Sequence, residues 1–152
     1  MSHTQAIAMQ AKAFLEAYET LDDSMYQKIQ LGSVHFRTLI FERAPVVTAA
    51  IVCIAFAAEM AMKALIVDSA GGRLSGLPKS HDLDELFKNI CGDVRVAIAS
   101  ALNKSLLEVE DSLRKNAKAF AQWRYSYEEG AWADEEFLRA FVRVALAQIA
   151  GP

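Results

Sequence analysis

One apolar run constrains this chain more than any other feature. From Val46 to Ala58 the only polar side chain is Thr48. A helix that is apolar all round belongs either in the core of a protein or in a bilayer. This run alone is too short to span a bilayer, which takes about 20 apolar residues. Glu59 and Lys63 follow it directly and place charges on the same helix. The reading is therefore a buried helix over Val46–Asp68 and no membrane span. A helix buried on every side must be wrapped by others, and the composition supplies them. Hydrophobic residues make up 53% of the 152 residues, a length that fits one domain over 1–152.

The remaining segments read as helices around that centre. Ile7, Ala11, Phe14, Leu15, Tyr18, Leu21 and Met25 recur at helical spacing, which predicts a helix from Thr4 to Met25. Ser2 and Gln5 have the spacing of a capping box. The stretch Val34–Arg43 is open between strand and helix. Pro45 suits the first turn of the Val46–Asp68 helix, and Gly71 and Gly72 end it. Arg73–Ser80 contains Gly76 and Pro78 and reads as a loop. Ser80 is expected to cap a short helix over His81–Ile90, with Asp82, Asp84 and Glu85 near its positive end, and Gly92 is expected to stop it. Asp93 is expected to cap the next helix, in which Val94, Ile98, Leu102 and Leu106 line one face. A break is expected between Leu107 and Asn116. A further helix carries Phe120 to Glu128 and ends at Gly130. Asp134 caps the last helix, with Phe137, Phe141, Val144, Ala145 and Ile149 toward the core. No segment alternates in the manner of a strand. The expected architecture is an all-α, antiparallel up-and-down bundle of about five helices.

Charge and cysteine usage bear on partners and compartment. A formal net charge of -3 argues against coating duplex DNA through a broad basic surface. It leaves room for a small basic pocket. Cys53 lies in the apolar run, where a cysteine behaves as a small hydrophobe, and the compartment argues against a disulfide between Cys53 and Cys91. No spaced set of metal ligands is visible, and no cofactor is expected. The first residues lack a basic start followed by an apolar stretch, so the expected compartment is the cytoplasm.

Three places have residues suited to chemistry. Glu59 and Lys63 are one helical turn apart and can pair along one face. They form either a salt bridge at the core edge or part of a site in which Glu59 reaches another polar group such as Arg124. His81, in Ser80-His81-Asp82-Leu83, can titrate near neutral pH. It serves either the start of a helix or acid–base chemistry. Phe120-Ala121-Gln122-Trp123-Arg124-Tyr125-Ser126-Tyr127-Glu128 puts aromatics, a guanidinium and a carboxylate within about two turns. Arg124 and Glu128 are spaced to pair. Aromatics beside an arginine suit stacking on bases and pairing with phosphate, or else a core or dimer interface.

Three segments, in this order, resemble proteins of the HEPN family: Phe56-Ala-Ala-Glu59-Met-Ala-Met-Lys63-Ala-Leu65, Ser80-His81-Asp82-Leu83-Asp-Glu-Leu86-Phe87, and Phe120-Ala-Gln-Trp123-Arg124-Tyr125-Ser-Tyr127-Glu128. The resemblance covers the middle two thirds of the chain. It implies a helical bundle that commonly forms homodimers. Many members cut RNA without metal, through an arginine followed within two helical turns by a histidine in a cleft shared with the dimer mate. Arg124 matches that arginine. Glu128, Glu129, Gly130 and Ala131 follow it, with no histidine. Other members are thought to bind nucleotides or RNA, or to pair with nucleotidyltransferases. The expectation is a noncatalytic homodimer that binds a nucleotide or RNA terminus, in a toxin–antitoxin or defence setting. Arg124 would contact phosphate, Tyr125 or Trp123 would stack, and Glu59 and Lys63 would belong to the same site. The alternatives are a metal-independent ribonuclease in which His81 or Glu128 replaces the missing histidine, and a protein-interaction module.

Overall fold

The computed structural model describes residues 1–30, 36–117 and 133–149, with side chains from 1–24, 46–117 and 133–149. It is all-helical, with no strand among the described residues. Six helices occur there: α1 His3–Gln30, α2 Phe36–Ser69, α3 Leu83–Lys88, α4 Gly92–Ala101, α5 Leu106–Lys115 and α6 Glu135–Ala147. The expected helix over Phe120–Glu128 lies outside the described residues.

α2 is the centre of the fold. Ala50, Ile54, Ala55, Ala57, Ala58, Ala61, Met62, Ala64 and Val67 are all fully buried. The alanines let neighbouring backbones approach closely on several sides. α2 is longer than expected, since the ambiguous stretch is helical from Phe36 onward. Pro45 therefore lies inside the helix and not in its first turn, although an interior proline removes one backbone hydrogen bond. Val46–Ser69, with 24 residues and a mean hydropathy of 2.1, is long and apolar enough to cross a membrane. In the fold, 67% of its most apolar window is buried against the rest of the chain.

α2 ends where the two glycines require it. Gly71 and Gly72 have φ of 67° and 80°. The Gly72 N–H donates to the Val67 carbonyl at 2.8 Å, and the Gly71 N–H to Asp68 at 2.9 Å. These two bonds form the glycine-dependent helix stop known as the Schellman motif.

α1 lies antiparallel to α2. His3, at the start of α1, sits 3.2 Å from the carbonyl of Gly72, just past the end of α2. Phe14 and Phe56 stack nearer the middle, 4.8 Å between ring centres. α1 also packs against α6. Glu19 pairs with Arg143, and Asp22 with Arg139 at 3.7 Å. Tyr18 and Glu135 share a hydrogen bond at the same seam. α6 buries Phe137, Leu138, Phe141, Val142 and Ala145 against α2. Phe87 of α3 meets Phe141 edge-on at 5.9 Å.

The short helices depart from expectation in three places. α3 is capped by Asp82 and not Ser80, and His81 precedes the helix. The Asp82 carboxylate accepts from the N–H groups of Asp84 and Glu85, while the Ser80 hydroxyl accepts from Asp82 N–H. α3 stops at Lys88, so Gly92 opens α4 instead of ending α3, and Asp93 lies in the first turn of α4 with Cys91 at the cap. The break expected between Leu107 and Asn116 comes earlier, at Leu102–Ser105. Leu106 thus begins α5, where Ser105 and Glu108 form a complete capping box. Asn103, with φ of 52°, turns the chain there. Asp134 caps the last helix as expected, accepting from Phe137 N–H at 3.0 Å.

The α1–α6 seam yields a pH prediction. Burial, with Asp22 nearby, pushes the Glu135 carboxyl above its ordinary value of 4.5, against the opposing pull of Tyr18 and Arg139. The folded state then holds its proton more tightly than the unfolded chain, so this stability is present below 4.5 and lost as pH rises through the folded value. Glu135→Gln should gain stability relative to the parent as pH rises from below 4.5 toward neutrality. Thermal denaturation across that range, with a constant difference between the two proteins, would refute it.

Candidate functional site

The polar centre of the described structure is built on α2. Glu59 is 1% exposed, on a helix whose neighbouring positions Ala55, Ala58, Met62 and Ala64 are also buried. An ionised carboxylate in such surroundings must be paired. Lys63, one turn on, donates from Nζ to Glu59 Oε1 at 2.7 Å and is itself only 12% exposed in its side chain. His81 Nδ1 lies 3.0 Å from Oε1 and 3.1 Å from Oε2. A single buried carboxylate therefore holds a lysine and a histidine. Oε1 serves both, and Oε2 faces the histidine.

The loop between α2 and α3 delivers His81 to that carboxylate. It leaves α2 through the Gly71–Gly72 stop and turns again at Gly76, with φ of 86°. Arg73 folds back to donate to the Ala70 carbonyl at 3.0 Å. Past His81 the chain is fixed by the Asp82 cap and by Leu83, which is 2% exposed. His81 is thus tethered by its ring on one side and by the start of α3 on the other. Its side chain is nevertheless 62% exposed, with one edge of the ring bound to a buried anion.

A second junction lies beside it. The Leu83 N–H donates to the carbonyl of Ala117 at 3.2 Å. Asn116, 1% exposed, accepts from Asp134 N–H at 2.9 Å and donates to Ser112 at 2.9 Å. The chain leaves the described structure after Ala117 and re-enters it close to the same asparagine. Ala117 and Asp134 are therefore both held near the start of α3. Trp123, Arg124, Tyr125 and Glu128 lie outside the described residues.

Of the expected site residues, Glu59, Lys63 and His81 come together. The Glu59–Lys63 pairing follows from its spacing; its union with His81 does not. The available signal was a lone carboxylate in an apolar helix and a lone histidine beside a helix start, each in need of a partner. Cys53 and Cys91 are free thiols, and burial pushes the Cys53 thiol up from its ordinary value. Among the described residues no three His, Cys, Asp or Glu side chains gather into a metal-binding set.

No family model, no curated protein and no solved structure matches the chain.

Glu59 sets the stability of this centre. Glu59→Ala strands a buried ammonium and should cost roughly 3 to 5 kcal/mol. The Glu59→Ala/Lys63→Ala double change should recover part of that loss, since no unpaired charge remains. Chemical denaturation of parent, single and double variants measures the coupling, and an additive cycle would show that the pair is not a buried unit.

Proposed function

We propose that the chain is a HEPN-like homodimer that binds a nucleotide or an RNA terminus without acting on it. The observation that carries this reading is the exposed imidazole of His81, fixed by a buried carboxylate that also holds Lys63. A carboxylate-held histidine is pre-oriented, so little rotamer entropy is lost when it meets a ligand. In its protonated form it donates to a phosphate oxygen through a charge-assisted hydrogen bond. Arg124 joins it from the sequence side: a guanidinium offers phosphate a planar, two-pronged partner, with Tyr125 or Trp123 as a stacking surface for a base. The resemblance in sequence supports the homodimer, a nucleotidyltransferase-type partner and a toxin–antitoxin or defence setting.

The same geometry favours one second reading. A histidine oriented by a carboxylate is also an acid–base arrangement, so a metal-independent ribonuclease using His81 is the alternative. Glu128, the other candidate for that role, lies outside the described residues.

The two readings separate in solution. Under the binding reading, His81→Ala and Arg124→Lys each weaken binding of a 5′-phosphorylated ribo-oligonucleotide by about 1.5 to 3 kcal/mol, on the order of 10- to 150-fold. Both variants stay folded and dimeric, and the parent leaves RNA intact in EDTA. Cleavage in EDTA that His81→Ala abolishes would favour the ribonuclease. Unchanged binding in both variants would remove these residues from the site, and a chain that binds neither nucleotide nor RNA is an interaction module.

A further inference from the structure

We propose that the α1–α6 seam is a proton-operated latch: a proton on the Glu135 carboxyl group holds the first turn of α6 against α1, and its loss lets that turn detach. Among the described residues, three carboxylates meet two guanidinium groups at this seam. Glu19 pairs with Arg143, and Asp22 with Arg139 at 3.7 Å. Glu135 is the carboxylate left over. Its hydrogen-bond partner is the phenol of Tyr18, which is buried. Burial, with Glu135 and Asp22 nearby, pushes that phenol above its ordinary value of 10.0, so Tyr18 stays a neutral donor and brings no compensating charge.

No other element supplies the missing cation. On Glu135 the repulsion of Asp22 exceeds the attraction of Arg139, which lies one turn along α6 and faces Asp22. α2 and α4 also touch α6, yet among the described residues no charged group on either acts on Glu135. Glu59 and Lys63 of α2 bond to each other, and Arg95 of α4 faces Glu110. The start of a helix ordinarily favours an ionised carboxylate. Glu136, exposed in the same turn, is placed for that role. Glu135 faces the seam, where burial and Asp22 prevail and hold its carboxyl group above 4.5.

The turn that carries Glu135 is the part of α6 free to respond. Leu138, Phe141, Val142 and Ala145 are fully buried and anchor the rest of the helix. In a detached turn Glu135 is in water and titrates near its ordinary value. Between 4.5 and the value in the closed seam, detachment therefore releases a proton. It becomes easier as pH rises, by up to about tenfold per pH unit, and is level on either side of that window. Protonation of the Asp134 cap, Asp22 or Glu19 acts in the opposite sense, since their contacts weaken as pH falls. A rise in opening toward higher pH is thus the mark of Glu135.

Native-state hydrogen exchange on the full chain, corrected for the intrinsic pH dependence of amide exchange, tests this. The reporters are the N–H groups of Phe137 and Leu138, which bond to the carboxylate and carbonyl of Asp134 at 3.0 Å each. Amides at the centre of α2 report unfolding of the whole chain. In the parent the two reporters should exchange faster than central α2 and be insensitive to low urea, and their opening should rise with pH across the window. In Glu135→Gln that rise should vanish. Asp22→Asn removes the surplus charge and turns Arg139 toward Glu135, so it should shrink the rise even if Glu135→Gln fails to fold. Reporters protected as strongly as central α2 at every pH would show that the turn opens only with the whole chain, and the latch falls. Opening in the parent that is level, or that declines as pH rises, also overturns it. An undiminished rise in Glu135→Gln places the proton elsewhere, and an undiminished rise in Asp22→Asn refutes the charge mismatch.

Discussion

A carboxylate buried in the most apolar helix is the constraint on which the rest of this molecule turns. α2 is central because almost every face of it is apolar, and Glu59 interrupts that pattern at full burial. The desolvation cost of such a group is several kcal/mol. It is offset by two donors from different sources: Lys63 from the next turn of the same helix, and His81 from a loop. The first is local and follows from spacing. The second requires the chain to leave α2, reverse through two glycines with positive φ, and return to the same height. The loop's path is therefore tied to the charge balance of the core, and the accessible histidine is a product of that balance.

The packing around α2 serves the same end. α1 and α6 both cover it, linked to each other by Tyr18–Glu135, Asp22–Arg139 and Glu19–Arg143. α3, α4 and α5 are short, and capping bonds place their starts and stops. Asp82 fixes the start of α3 directly after His81, and Leu83 inserts into the core beside it. Asn116 then ties the end of α5 to the start of α6. The result is a rigid frame around His81 built from one buried anion, one helix cap and one core leucine.

Much of this frame is legible in the amino-acid sequence, and the failures have physical causes. The apolar run, the Gly71–Gly72 stop, the Asp134 cap and the Glu59–Lys63 spacing are local signals, and the fold honours them. Pro45 misleads because proline favours a first turn, yet α2 already begins at Phe36. Ser80 and Asp82 are both good caps, and only backbone geometry decides that the carboxylate takes the role. Leu102 and Leu106 keep helical register across a break, which hides the Ser105–Glu108 capping box between α4 and α5. The Glu59–His81 bond spans 22 residues. No periodicity encodes such a contact, so its two halves are visible only as unexplained polar residues.

Stability alone does not account for keeping this cluster. A buried ion pair replaced by apolar side chains of similar volume is often no less stable, and at times more so. A chain with two apolar residues at positions 59 and 63 would satisfy α2 as a core helix equally well. What it would lose is the carboxylate that holds the ring of His81 to the core. The bond from Lys63 matters for the same reason. It commits one carboxylate oxygen and leaves the other turned toward the histidine. The cost of burying Glu59 thus makes physical sense as the cost of orienting His81, whose side chain is 62% exposed.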